Sequence, residues 1–192
     1  GSVSGLRRRP GEVRGQDRRA VSDLDWGRLW RERIGWEAFL TPTMDLALLW
    51  NGEYRRAVAP TWAVERLGRG EPLRFLVLAH DWCWDAAITL PLLVRLVEAV
   101  PGNQFGILLR DEHPEVMDRF LTNGTRSIPI VFALRADDTI AGHWGPRPAA
   151  LQAWVRANIA TMPKDQRYIE MRKWYLKDRG ESTLREVLAA VG

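Results

Sequence analysis

Cys83 is the only cysteine in the chain, so no intramolecular disulfide can form and any thiol chemistry rests on one sulfur. It lies in Asp81-Trp82-Cys83-Trp84-Asp85-Ala86, after the apolar run Leu73 to Ala79 and before Ile88, Leu92, Leu96 and Val100 at helical spacing. That order puts the sulfur at a helix N-terminus, where free backbone N–H groups and the positive end of the helix dipole favour a thiolate. Asp85 in the same first turn opposes a second negative charge, and Trp82 and Trp84 shield the sulfur from water, which raises its pKa. The sequence leaves the sign of the net shift open. A reactive Cys83 would attack a disulfide or accept a mixed disulfide, to be released by an external thiol, or else oxidise to a sulfenic acid. An unreactive Cys83 would pack as a small hydrophobe. Both readings stand at this point.

Other polar groups near the cysteine support less chemistry. His80, Asp81 and Asp85 flank it, and Asp111-Glu112-His113 forms a second cluster, but zinc normally takes a fuller and more regularly spaced ligand set. No metal and no cofactor are expected. Arg110-Asp111 reads as a surface ion pair. Arg126, just before Ser127-Ile128-Pro129, is a candidate for stabilising an anion in a pocket beside the thiol.

Elements that could position these residues fit a chain of 192 residues, enough for one domain with additions. With 46% hydrophobic and 27% charged residues the composition is that of an ordinary globular protein, and no apolar run reaches the length of a membrane span. Much of the net charge of +4 comes from Arg7, Arg8, Arg9, Arg14, Arg18 and Arg19, so a solvated basic tail is expected over 1–21 and no nucleic-acid partner. The tail has no continuous apolar stretch after its basic start, from which a cytoplasmic protein is expected. Ten tryptophans without a repeat are expected mostly in the core.

Within 22–70 the spacing predicts a helix from Ser22, as N-cap, to about Leu40, a second from about Met44 to Ala57, and a third, short one that starts near Pro60 and ends before Gly68 to Gly70. Over 71–160 it predicts a strand at Leu73–Ala79, a helix from Trp84 to about Val100 kinked at Pro91, and a parallel strand at Gln104–Arg110. There follow a helix from Pro114 through Leu121, strands at Ile130–Arg135 and Thr139–Trp144 around an Ala136-Asp137-Asp138 turn, and a helix from Pro148 to about Ala160. Over 161–192 come a helix between Pro163 and Gly180, carrying Tyr168, Met171, Trp174 and Tyr175, and a last one opened by a Thr183/Glu186 capping box.

A strand, then Trp82-Cys83-Trp84-Asp85-Ala86, then a helix with Pro91, resembles the active-site turn of thioredoxins, and Arg126-Ser127-Ile128-Pro129 before a strand resembles their cis-proline loop. The blocks Leu109-Arg110-Asp111-Glu112, Leu121-Thr122-Asn123-Gly124 and Trp144-Gly145-Pro146-Arg147-Pro148 are similar to an uncharacterised branch of that superfamily, whose members read Trp-Cys-Gly-Asp at the first cysteine. The resemblance implies an α/β thioredoxin-like fold, a central mixed sheet of about four strands with flanking helices, extended by N- and C-terminal helices. It further implies Cys83 as the catalytic residue, with Trp82, Trp84, Asp85, Arg126, Ile128 and Pro129 forming a substrate groove and Pro129 in the cis form.

Three departures bear on activity. Ala86 stands where a Cys-x-x-Cys motif has its second cysteine, Trp84 replaces a small residue, and Val77 occupies the place of the buried aspartate that moves protons in thioredoxins. The expected function is monothiol thiol-disulfide exchange or mixed-disulfide formation in cell redox homeostasis, with a low-molecular-weight thiol or a protein thiol or disulfide as partner. The alternative is a non-catalytic thioredoxin-like binding or scaffold module.

Overall fold

The sulfur's position depends on a short sheet whose strands are nearly free of polar side chains. In the computed structural model, which describes residue 21 and residues 23–192, β1 (Arg74–Ala79) is buried at every position but Arg74, and β3 (Ile130–Leu134) at all of them. Such runs suit strands covered on both faces. β1 pairs in parallel with β2 (Gln104–Leu109) and antiparallel with β3, and β3 pairs antiparallel with β4 (Ile140–Trp144), giving the order β2-β1-β3-β4. Phe75, Leu76, Leu78, Leu108 and Phe132 fill the centre with essentially no exposure. Each such side chain contributes about 1.5–3 kcal/mol.

Among the described residues the helices α1 (Trp26–Glu32), α2 (Trp36–Phe39), α3 (Ala47–Arg56) and α4 (Thr61–Gly68) precede the sheet. They bury Trp26, Trp30, Trp36 and Trp50 in the same core as the strands, as expected for most of the tryptophans. The βαβ crossover is α5 (Trp84–Ala99), which carries Pro91 inside it. After β2 come a 3-10 turn (Arg110–Glu112) and α6 (Pro114–Met117), and after β4 follow α7 (Ala149–Asn158), α8 (Lys164–Asp178) and α9 (Glu181–Val191). Leu151, Val155, Met171 and Tyr175 form a second apolar cluster against Trp84 and Ile88, fastening α7 and α8 to the start of α5. α9 lies directly on β4, where a Cβ at Gly142 would come within 1.8 Å of the Ala190 carbonyl oxygen.

Four local expectations are corrected. The helix expected from Ser22 to Leu40 is two, because Ile34 leaves the helical path and exchanges two 2.8 Å backbone hydrogen bonds with Ile107, covering the open edge of β2. The N-cap of α1 is Asp25, whose carboxylate accepts from the Arg28 N–H at 2.8 Å; Ser22 lies outside the described residues, as does the basic tail up to residue 20. α6 ends at Met117 rather than Leu121. The Thr183/Glu186 capping box does not form: α9 starts at Glu181 after Gly180, and Glu186 instead accepts from the Trp144 indole at 2.8 Å and the Ala149 N–H. A tertiary partner has taken the carboxylate from its local one.

Candidate functional site

The turn that holds the thiol is anchored from the N-terminal helices. Trp50 of α3 donates its indole N–H to the Asp81 carbonyl at 2.7 Å, and the Asp45 N–H donates to the Asp81 carboxylate at 3.0 Å. Burial works against the Asp81 charge, but the Asp45 N–H, His80 at 2.7 Å and the Trp82 N–H outweigh it and hold the carboxyl below its usual range. The Cys83 N–H then donates to His80 O at 3.1 Å, and Cys83 becomes the N-cap of α5.

At that position the sulfur faces inward. Cys83 is only 7% exposed, and its Sγ lies 3.5 Å from the carbonyl oxygen of Ile128, to which the thiol donates. The Ile128-Pro129 bond is cis, and both residues are buried. Burial pushes the Cys83 pKa up to about 11; the nearby Asp85 charge adds to the rise, while the backbone N–H groups of Ala86 and Asp85 and the Arg147 charge pull against it. The sign left open by the sequence is upward.

The other expected groove residues divide. Trp82 is at the surface, 40% exposed, stacked on His80 at 5.0 Å between ring centroids, with the Arg110 guanidinium 4.5 Å from its ring. Arg110 also pairs with Asp111 at 2.9 Å and donates to Arg126 O at 3.2 Å. Arg126 is exposed and pairs with Asp118 at 2.7 Å. Trp84 points toward α8, edge-on to Tyr168 and Tyr175. Of the seven residues expected at the site, Cys83 meets Ile128, whose carbonyl belongs to the cis bond to Pro129, Asp85 lies beside the sulfur but is held by Arg147, and Trp82, Trp84 and Arg126 have their side-chain partners elsewhere.

Asp85 holds the strongest polar contacts of the region. It is 5% exposed, and the Arg147 guanidinium grips it as a fork, Nε at 3.0 Å from both oxygens and Nη2 at 2.6 Å from one. The Tyr175 hydroxyl donates to it at 2.8 Å, and Gln152 accepts from Arg147 at 3.1 Å. Burial and the Asp85 charge push the Tyr175 pKa well above its usual value. Burial opposes the Arg147 charge, but Asp85 outweighs it and holds that pKa up. Neither Arg147 nor Tyr175 was among the expected site residues. The signal available was the charge of Asp85 itself, which cannot be buried in a helix's first turn without a cation.

Gly145 makes the approach of Arg147 possible. Its φ is +134°, and a Cβ there would lie 2.2 Å from Pro129 O, so the chain leaving β4 passes against the cis-proline loop before turning Arg147 toward α5. Among the described residues no three His, Cys, Asp or Glu side chains converge on a metal-sized site, and no helix is long and apolar enough to cross a membrane.

A family model described as Thioredoxin matches residues 50–168, which spans the strand, the cysteine turn, the cis-proline loop and the Arg147 segment. Among solved structures, a protein of unknown function from Pseudomonas aeruginosa superposes with a TM-score of 0.66 at 21% identity, over 88% of this chain and 97% of that one. An HIV epitope scaffold does so with a TM-score of 0.66 at 20% identity, over 88% and 98%. At such identities the likeness is one of fold. No curated protein matches the chain. With more than half of its length matched by the model, its mixed sheet in the order β2-β1-β3-β4 and its thiol facing a cis-proline, the chain belongs to the thioredoxin family.

Proposed function

We propose that this chain works as a thioredoxin-like binding module in which Cys83 is a packing thiol rather than a nucleophile. The observation that carries this reading is the burial of Sγ against Ile128 O, with a pKa of about 11. At neutral pH about one molecule in ten thousand would hold a thiolate, and the thiolate is the attacking species. Ala86 in place of a resolving cysteine removes the second thiol of a dithiol cycle. The surface offered to a partner is the rim of Trp82, His80 and Arg110, an exposed aromatic platform with a cation beside it.

One specific feature favours the other reading, monothiol exchange with a small or protein thiol. The N–H groups of Asp85 and Ala86 and the Arg147 cation all favour negative charge on Sγ, so a thiolate formed after the turn opens would be received by oriented donors. The two readings separate on the rate of Cys83 alkylation by iodoacetamide from neutral to alkaline pH. The binding-module reading expects slow modification at neutral pH and a rise centred near pH 11. Rapid modification at neutral pH, together with a glutathione adduct on the native protein, would replace it with the monothiol one.

A further inference from the structure

Helices α3, α8 and α9 do not close fully over α5. Between them runs a cleft in two adjoining parts of about 320 and 360 Å3, both lined by Glu53, Arg56, Ile88, Tyr175 and Leu176. Each part falls near the lower end of the range for small-molecule sites. Its apolar wall is Ile88 and Leu92 from α5 with Leu176 from α8, and Leu176 is 68% exposed at the mouth.

Two polar features set this cleft apart from a packing gap. Thr183 lines it and is 2% exposed, yet its Oγ1 has no hydrogen-bond partner. A buried hydroxyl without a partner is costly and rare, and in a cavity wall it marks where an incoming polar group would complete the bond. Arg179 lines the same part, and among the described residues it forms no ion pair, whereas Arg56 is held by Glu53 at 2.6 Å. A second cation, Arg172, lines the adjoining part and likewise forms no ion pair among the described residues.

We propose that this cleft binds an amphipathic carboxylate, its apolar chain along Ile88, Leu92 and Leu176 and its carboxylate between the Arg179 guanidinium and the Thr183 hydroxyl. The donors match the ligand: a cation that forms no ion pair among the described residues and a hydroxyl without a hydrogen-bond partner line the same part of an apolar trough. Cys83 does not line the cleft, although Trp84 beside it lines the adjoining part, and the proposal does not depend on whether Cys83 reacts. It does share Tyr175 with the Asp85 cluster, so a ligand would rest one side chain away from that turn.

Calorimetric titration of the whole chain with sodium decanoate, and with decanol as its uncharged counterpart, tests the proposal. Saturable binding of decanoate at one site, about tenfold tighter than decanol, is expected. Arg179→Gln, an exposed substitution, and Thr183→Val should each weaken decanoate about tenfold and leave decanol unchanged. Absence of decanoate binding, equal affinity for the two probes, or decanoate affinity unaltered by Arg179→Gln would overturn it. Because Thr183 is in the core, circular dichroism of Thr183→Val accompanies its titration, and Arg179→Gln decides the question if that variant does not fold.

Discussion

Cys83 and Asp85 leave the same turn of α5 and enter opposite environments. The thiol meets one carbonyl oxygen at 3.5 Å and the backbone N–H groups of Asp85 and Ala86, with burial as the largest influence on its pKa. The carboxylate, equally buried, meets a forked guanidinium and a phenol at 2.6–3.0 Å. A helix N-terminus therefore does not by itself lower a thiol's pKa. For Cys83 burial outweighs it, and the cation at hand, Arg147, is committed to Asp85. Through Asp85 the turn fastens the loop after β4, and helix α8, to α5.

The largest test of that contrast is Asp85→Ala, which leaves Arg147 buried without a counter-ion and Tyr175 without an acceptor. Urea unfolding should show a loss of about 3–5 kcal/mol; a loss below about 1 kcal/mol would mean that the pair behaves as a solvated surface bridge. Next is the thiol's own contribution at alkaline pH. The folded state keeps a proton that the unfolded chain releases near pH 9, so this stabilisation is complete below pH 9 and disappears as pH rises through about 11. Relative to Cys83→Ala, the protein should lose about 2–3 kcal/mol across that interval. The comparison with the variant cancels Tyr175, whose titration is displaced in the same direction in both proteins.

Tyr175→Phe should cost about 1.5 kcal/mol in the same urea measurement, one hydrogen bond to a charged acceptor, with Arg147 still in place. A cost as large as that of Asp85→Ala would show that the phenol, not the guanidinium, holds the carboxylate. Smallest is Trp82→Ala. Its ring is at the surface and its neighbours are solvated, so the stability should change by less than about 1 kcal/mol in thermal or urea unfolding. A larger loss would place Trp82 with the sealed side of the turn instead of its rim.

The sheet was legible because it is written in local pattern. The apolar runs at Leu73–Ala79 and Ile130–Leu134 predict strands wherever they are placed, and the helix between β1 and β2 forces a parallel pair. Breaks decided by distant partners were not legible. Ile34 abandons its helix for Ile107, and Glu186 abandons Thr183 for Trp144, because a buried indole or an open strand edge offers more than a local cap. The site shows the same division. Cys83 donates to Ile128 O, at the cis bond to Pro129, whereas Arg126 and Trp84, neighbours in the motif blocks, are held by Asp118 and by the aromatic rings of α8.

By itself the sequence determined that there is one thiol, that it begins a helix after a buried strand, and that Ala86 leaves it without a resolving partner. Those are properties of residue type and short-range order, which a linear chain displays completely. Tertiary structure decided the character of the thiol and the fate of the charge beside it. Burial of Cys83 needs Ile128, 45 positions away, and neutralisation of Asp85 needs Arg147 and Tyr175, 62 and 90 positions away. Desolvation and counter-ion placement act through space, over a few ångströms, and only the packed chain brings those groups within range.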